Sequence, residues 1–212
     1  SVDFDHPIWV LFSSGTTGKP KAITHRTGGI LIEQYKSLSL HQNISDGDRF
    51  FWNTTTGWMM WNYALGSLLC GAKLCLYDGA ANYPDIGVQW RFAKEAQINH
   101  FGNGSPLFIA SMKQNIKDVN QIELSKLKTI GATGSPLSED AFIWLQDKLP
   151  KTQIISLSGG TDVCSAFIGG CTMLPVYSGY LQCNMLGAAI EAWDENKKPI
   201  LNQTGELVIT QP

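Results

Sequence analysis

The sequence predicts an α/β protein with a largely parallel sheet and crossover helices. Short apolar, β-rich segments alternate with longer segments of helical spacing, and the short ones lie at 8–12, 73–77, 128–131, 153–157 and 205–210. Such alternation is typical of parallel strands joined by helices. The 212 residues, 43% of them hydrophobic, are also enough to bury roughly 70% of the surface of the unfolded chain. One large domain is therefore expected.

Three of the intervening segments are predicted to be helical. Residues 27–40 carry an apolar face, and residues 58–69 are apolar on most sides, so the second helix is expected to be buried. Ser138 precedes Glu139 and Asp140, which predicts a capped helix start. The serine hydroxyl accepts a backbone N–H there, and the acidic residues favour the positive end of the helix dipole.

A loop-rich stretch follows, marked by glycines and prolines between residues 170 and 199. It leads to the final β-rich run. We place a lobe boundary within 170–185, which divides the chain into an α/β core at 1–175 and the start of a β-rich subdomain at 176–212.

The composition of the chain argues against nucleic acid and membranes as partners. A formal charge of −2 gives no basic stripe for nucleic acid. The longest apolar runs are too short and too interrupted to span a bilayer, and the first residues do not form a secretory signal. The five cysteines show no Cys-x-x-Cys spacing and are interpreted as reduced core thiols. We therefore predict a cytoplasmic protein that acts on small molecules, without nucleic acid or a membrane span.

The histidines give no sign of a metal centre. They are His6, His25, His41 and His100. Each is isolated in the sequence, and none belongs to a zinc-binding pattern, so surface or capping roles are expected.

One nine-residue run has the composition of a polyphosphate-binding loop. It reads Ser13, Ser14, Gly15, Thr16, Thr17, Gly18, Lys19, Pro20, Lys21. Its glycines let the backbone come close to a ligand, so that N–H groups converge on phosphate oxygens, and its hydroxyls and lysines supply further donors. It is not a Walker loop, because that pattern needs four residues between the glycines and Ser or Thr directly after the lysine. Taken alone, the run also suits an ordinary turn.

Together with four further segments, this loop resembles the adenylate-forming acyl-CoA synthetases. The segments are Thr-Thr-Thr-Gly-Trp at 54–58, Gly-Ala-Thr-Gly-Ser-Pro at 131–136, Ser-Gly-Gly-Thr-Asp at 158–162 and Gly-Glu-Leu-Val at 205–208. They occur in the family's order, and the resemblance runs along nearly the whole chain. It implies the large N-terminal domain of the acyl-adenylate-forming fold.

The resemblance also implies a nucleotide site. The residues that would contact ATP are Ser13, Ser14, Gly15, Thr16, Thr17, Gly18, Lys19, Lys21, Gly134, Ser135, Pro136, Gly160 and Thr161. Asp162 and Thr16 would hold magnesium, and Thr161, Asp162 and Lys19 would be catalytic. The chain departs from the family at Ser158, which stands where an adenine-stacking tyrosine is usual, and at Asp162, which replaces a glutamate.

The acyl-substrate pocket is assigned by the same resemblance to Trp58 and Gly159. By composition alone, a tryptophan beside Met59, Met60 and Trp61 is more often a core residue. Within the family, the stretch 49–78 is most similar to members that ligate acetoacetate to CoA. A glycine at 159, where acetate-specific relatives carry a tryptophan, leaves room for a four-carbon acid.

The implied reaction uses ATP, Mg²⁺ and coenzyme A. The carboxylate attacks the α-phosphorus of ATP to give an acyl-adenylate and pyrophosphate, and the CoA thiol then displaces AMP. Because both reactants of the first step are anions, catalysis needs charge neutralisation and alignment.

Two alternatives stay open at this point: a related enzyme that acts on another short acid or loads a carrier protein, and a non-catalytic nucleotide-binding module. The family's ribose-binding aspartate and adenylation lysine match no position in the 212 residues. We therefore expect a central fragment that lacks the C-terminal catalytic lobe and is inactive alone. We also expect it to self-associate through uncovered sheet edges.

Overall fold

The structure is a computed structural model that describes residues 1–13, 18–114, 116 and 123–211. Its strands are β1 (Pro7–Ser13), β2 (Lys21–Arg26), β3 (Arg49–Trp52), β4 (Lys73–Leu74), β5 (His100–Gly104), β6 (Thr129–Thr133), β7 (Gln153–Ser156), β8 (Ser158–Gly160), β9 (Ser165–Gly169), β10 (Cys183–Asn184), β11 (Ala189–Trp193), β12 (Pro199–Ile200) and β13 (Glu206–Gln211). Its α-helices are α1 (Thr27–Tyr35), α2 (Met60–Gly66), α3 (Val88–Glu95), α4 (Ser105–Lys113) and α5 (Glu139–Lys148).

The centre of the fold is a five-stranded parallel sheet in the order β4-β3-β5-β6-β7. Neighbouring strands are in register, so that Phe101 faces Ile130 and Ile130 faces Ile154. This confirms the predicted α/β class and the strands expected at 128–131 and 153–157. The strand expected at 73–77 is shorter and ends at Leu74.

The prediction that the segment at 8–12 joins the parallel sheet is wrong, whereas the segment at 205–210 forms an antiparallel strand in the run that the sequence assigned to a β-rich subdomain. β1 pairs antiparallel with β2, and β13 pairs antiparallel with β11. The physical reason is connection length, since a parallel pair needs a crossover of about a dozen residues or more. Residues 14–20 between β1 and β2 are too few for a crossover.

Helices cover both faces of the parallel sheet. On one face, α3, α4 and α5 bury Trp90, Phe108 and Leu145 against the sheet. On the other, α1 and α2 bury Ile30 and Tyr63. The predicted helices at 27–40 and 58–69 are confirmed, each with a non-α final turn, at Lys36–His41 and Ser67–Cys70.

The predicted cap of α5 is confirmed as well. The Ser138 hydroxyl accepts a hydrogen bond from the Ala141 backbone N–H at 3.4 Å, and Glu139 and Asp140 lie in the first turn. Together these groups mark the point where the chain leaves the β6 loop and enters the helix.

Glycines in two neighbouring strands make room for one large ring. Trp52 of β3 lies across Gly102 of β5 and Gly131 of β6, and a Cβ atom on either glycine would overlap its indole. Gly131, the first residue of the 131–136 segment, therefore allows Trp52 to pack across the sheet.

The amino edge of the parallel sheet carries a buried polar cluster. Asp48 accepts hydrogen bonds from Lys128 Nζ at 2.7 Å, and from His100 Nε2 and the Ser45 N–H at 3.0 Å. His100 Nδ1 lies 2.8 Å from Thr129 Oγ1. Burial alone raises the pKa of Asp48, but the hydrogen bonds from Lys128 and His100 outweigh it and hold the pKa below its usual value. Burial lowers the pKa of His100, against the opposing carboxylate, so the ring is neutral at pH 7.

The C-terminal part forms a small antiparallel sheet in the order β12-β11-β13. The turn between β11 and β12 is held by the Asp194 carboxylate, which accepts hydrogen bonds from the backbone N–H groups of Asn196 and Lys198. The lobe boundary proposed within 170–185 stays a prediction. Among the described residues, no helix is both long and apolar enough to cross a membrane.

Candidate active site

Two cavities lie at the carboxyl edge of the parallel sheet, where ligands bind in open α/β sheets. The larger has a volume of about 300 Å³ and the smaller about 120 Å³. Both are lined by the loops that follow β6 and β7, and they share Thr133, Gly134, Leu157 and Gly159. A ligand in one cavity therefore lies next to a ligand in the other.

The loop after β6 forms one wall of the larger cavity. Its shape depends on Gly134, whose φ of +83° lies in the left-handed region that favours glycine. Two hydrogen bonds hold the loop: Thr133 Oγ1 donates to the Leu157 carbonyl at 2.9 Å, and Ser105 Oγ donates to the Ser135 carbonyl at 2.7 Å. Gly134, Ser135 and Pro136, assigned from sequence to the nucleotide, all line this cavity.

The outer wall of the larger cavity was not predicted. It is formed by Gly179, Tyr180 and Leu181, and Tyr180 is 71% exposed. The side chain of Gln182 closes this loop by donating to the carbonyls of Cys171 and Leu174 at 2.7 and 2.6 Å. The sequence signal was only a loop-rich composition, which does not show what the loop contacts.

The smaller cavity is mainly apolar. Trp58, Met59, Met60 and Tyr63 line it together with the loop after β7. The Trp58 indole lies 3.6 Å from the place where a Cβ on Gly134 would stand. Trp58 is half-buried in the turn before α2, and its assignment to the acyl-substrate pocket stays a prediction.

Tyr63 closes the inner end of this cavity. Its hydroxyl lies 2.7 Å from Ser37 Oγ and accepts from Gln42 Nε2 at 2.6 Å. Burial raises the pKa of Tyr63, so the phenol stays neutral. Tyr63 thus contributes a neutral, hydrogen-bonded side chain to the lining of the cavity.

Gly159 lies in β8 between the two cavities. A Cβ atom there would overlap the Ser165 carbonyl and lie 2.6 Å from Ala166 Cα, both in the paired strand β9. In this backbone, a bulkier residue at 159 requires the two strands to separate. Contact with β9 thus demands glycine here, whatever additional effect a side chain would have on the acyl group.

The turn after β8 presents Thr161 and Asp162. Thr161 is half-buried and Asp162 is exposed. The Thr161 carbonyl accepts from the Cys164 N–H at 3.2 Å and from His25 Nε2 at 2.9 Å. The sequence treated His25 as an isolated histidine in a surface or capping role. It is instead 9% exposed and connects β2 with this turn.

The glycine-rich loop connects β1 with β2. Ser13 and Lys21, at its two ends, face each other in the hairpin. Gly18, Lys19 and Lys21 are exposed. Ser14, Gly15, Thr16 and Thr17 lie outside the described residues, so the predicted magnesium ligand Thr16 is among the positions that the structure does not describe.

In the described part of the chain, no three His, Cys, Asp or Glu side chains form a metal cluster. Asp162 offers one exposed carboxylate beside the Thr161 hydroxyl. That donor set fits Mg²⁺, which binds through one or two carboxylates together with substrate phosphates and water.

The profile of the family described as AMP-binding enzyme matches residues 1–212. The chain belongs to this family. Acetoacetyl-CoA synthetase of Gallus gallus is 40% identical over 210 residues, which are 99% of this chain and 32% of that protein. Acetoacetyl-coenzyme A synthetase of Rhizobium meliloti (strain 1021) is 41% identical over 209 residues, 98% of this chain and 32% of that protein. The chain thus spans about a third of the length of these curated relatives.

Two solved structures agree with the fold. Acetoacetyl-CoA synthetase from Streptomyces lividans has a TM-score of 0.94 and 46% identity, and the match covers 100% of this chain and 33% of that one. The anthranilate CoA ligase AuaEII, solved in complex with anthranoyl-AMP, has a TM-score of 0.84, 19% identity and coverage of 96% and 39%. At that identity the second match shows the fold alone.

Proposed function

We propose that the intact protein ligates acetoacetate to CoA through an acyl-adenylate, at the expense of ATP. The observation that carries this proposal is the pair of adjoining cavities that share Thr133, Gly134, Leu157 and Gly159. A two-reactant adenylation needs two such neighbouring sites. The names of the similar relatives, acetoacetyl-CoA synthetases, support the choice of acid.

The larger cavity takes the adenosine part of ATP. Backbone of the Gly134 loop forms one wall and the loop of Tyr180 forms the other. The triphosphate then extends towards the Thr161–Asp162 turn and the glycine-rich loop. Lys19 contributes a mobile ammonium group to the β- and γ-phosphates.

The smaller cavity takes the acid. Its volume of about 120 Å³ is below the range of about 300–1,000 Å³ that holds drug-sized ligands, so a long acyl chain does not fit. Trp58 and the two methionines at 59 and 60 contact the methyl end, while the carboxylate faces the shared residues and the α-phosphate.

The first step joins a carboxylate oxygen of acetoacetate to the α-phosphorus and breaks the bond from that phosphorus to the bridging oxygen of pyrophosphate. Lys19 and the Thr161 hydroxyl orient the phosphates and offset their charge. Asp162 would hold Mg²⁺, which supplies neutralisation of the departing pyrophosphate when bound. In the second step the CoA sulfur attacks the acyl carbon, and AMP leaves.

The test is pyrophosphate exchange with the intact protein, followed by thioester formation, for acetoacetate, acetate, butyrate and a long-chain acid. We expect acetoacetate to give the highest kcat/KM. Equal or better turnover of acetate or of the long-chain acid would overturn the assignment.

The 212 residues alone correspond to only about a third of the relatives' length, and we expect them not to complete the reaction unaided. Apolar side chains such as Phe12, 65% exposed, favour self-association of the isolated chain. Light scattering of the isolated chain tests this. Cys70, Cys75, Cys164, Cys171 and Cys183 are all unpaired, which is in keeping with a cytoplasmic location.

A further inference from the structure

His25 lies where the hairpin of the glycine-rich loop meets the Thr161–Asp162 turn. It belongs to β2, four residues after Lys21, and its side chain points inwards with 9% exposure. Its Nε2 atom lies 2.9 Å from the Thr161 carbonyl oxygen, a contact between residues 136 positions apart. One side chain of β2, the strand that follows the glycine-rich loop, is therefore hydrogen-bonded directly to the Thr161–Asp162 turn.

The hydrogen-bonding roles at this contact are determined by chemistry. A carbonyl oxygen only accepts, so Nε2 of His25 carries the proton and donates it. The same oxygen accepts from the Cys164 N–H at 3.2 Å, which uses its second lone pair. The direction of the Thr161 carbonyl, and with it the start of the turn, is thus set from two sides.

The other end of the turn is anchored in the core. Cys164 is fully buried with a φ of +48°, and Gln34 Nε2 of α1 lies 3.8 Å from its sulfur. Burial raises the pKa of the Cys164 thiol to about 11, so the thiol remains neutral. Trp9, the cross-strand partner of His25 in the hairpin, packs against the same core cluster as Cys164. The turn is therefore held by the hairpin at Thr161 and by the core at Cys164.

We infer that His25 is a positioning residue that couples the glycine-rich loop to the Thr161–Asp162 turn. Because its Nε2 is engaged and its ring is buried, it acts through the turn and does not touch substrate. It joins the hairpin that carries Lys19 to the turn that carries the Thr161 hydroxyl and Asp162, the groups proposed to bind one triphosphate. The inference rests on the proposed function in that it takes MgATP as the shared ligand.

The test compares two substitutions of His25 by amide side chains, His25→Gln and His25→Asn, in the intact protein. Gln at 25 places its Nε2 donor close to the position of the imidazole Nε2, whereas Asn is one methylene too short. We expect His25→Asn to raise both Kd and KM for MgATP about tenfold, with KM for acetoacetate unchanged, and His25→Gln to stay near wild type. His25→Leu removes the donor and should match His25→Asn. His6→Asn, an exposed histidine before β1, is the matched control.

Several results would overturn the inference. One is equal behaviour of the Asn and Gln variants. Another is a lower Tm in all variants with both KM values unchanged, which would make His25 merely structural. Hydrogen exchange of the wild-type protein needs no variant: MgATP is expected to slow exchange in residues 21–26 and 161–166 together, and slowing in only one segment contradicts the coupling.

The outcomes also separate the inference from the proposed function. Wild-type protein without acetoacetate-dependent pyrophosphate exchange would refute the proposed reaction. The Kd for MgATP, measured by calorimetry in the same variants, would still decide the role of His25. Normal turnover of acetoacetate with identical Kd values in all variants would refute the positioning role alone.

Discussion

The amino and carboxyl edges of the parallel sheet use polar residues in opposite ways. At the amino edge, the buried side chains of Asp48, His100 and Thr129 and the half-exposed Lys128 satisfy one another. At the carboxyl edge, Asp162 is exposed and forms no ion pair within the described residues, and the same holds for Lys19 of the β1–β2 hairpin. Satisfied polar groups stabilise a fold, whereas groups without partners are free to bind a ligand. We therefore expect the amino edge to contribute mainly to stability and the carboxyl edge to ligand binding.

Removing the centre of the amino-edge cluster should have the largest effect. Asp48→Ala leaves His100 and the Ser45 N–H without their acceptor, and we expect a loss of about 3 kcal/mol in the free energy of unfolding. Urea denaturation of the intact protein measures it. KM for MgATP should stay unchanged, and the same substitution at exposed Asp147 should be nearly neutral. A large change in KM with little change in stability would contradict the division between the edges.

At the carboxyl edge, Asp162→Asn should reverse this pattern. It removes one exposed charge while retaining nearly the same shape, so we expect kcat for pyrophosphate exchange to fall on the order of 100-fold with the Tm unchanged. Raising the Mg²⁺ concentration should restore part of the activity. Asp147→Asn serves as the control for charge. Full activity in the Asp162 variant would remove this residue from the metal site.

The outer wall of the larger cavity should give a smaller effect. Ser158 cannot stack on a base, whereas the Tyr180 ring lines the same cavity. Tyr180→Leu is expected to raise KM for ATP about tenfold, and Tyr180→Phe to leave it near wild type. Tyr177→Leu is the matched control, since that ring is 65% exposed and lies outside the cavity lining. Equal KM values in the Leu and Phe variants would exclude stacking by Tyr180.

The smallest expected effect is the pH dependence of the free energy of unfolding, which arises from the amino-edge cluster. The pKa of His100 is lowered by burial, so the unfolded state binds the proton more readily and stability falls as the pH drops below about 6.5. The lowered pKa of Asp48 adds a further loss below about pH 4, where the unfolded carboxyl takes up its proton first. His100→Gln should flatten only the first decrease in unfolding free energy, measured in urea from pH 7.5 to 5. An unchanged slope would show that His100 does not titrate on unfolding.

Sequence patterns predicted the core elements where local chemistry and tertiary structure agree. The strands β6 and β7, the capped start of α5 and the helix after β2 all follow from apolar periodicity and capping residues. The sequence patterns did not predict β3 and β5. A fully buried strand such as Phe50–Trp52 has no alternation, and β5 reads His-Phe-Gly-Asn-Gly, which resembles a turn until Trp52 is seen to need glycine beside it.

The candidate site divides in the same way. The segments at 54–58, 131–136 and 158–162 were singled out because they resemble motifs of the adenylate-forming acyl-CoA synthetases and occur in the same order. His25 and Tyr180 were missed, because each acts on a partner distant in sequence: His25 reaches Thr161, and Tyr180 faces the β6 loop. Contacts of this kind leave no local signal.

By itself, the sequence determined the α/β class, the membership suggested by five ordered motifs, and the residue types available to bind phosphate. The tertiary structure alone decided that β1 belongs to a hairpin, that Gly159 is held against β9, and that two cavities adjoin at Gly134. The physical reason is range. Periodicity, capping and turn chemistry act within a few residues, whereas strand pairing and cavity walls depend on which distant segments pack together to bury the same apolar surface.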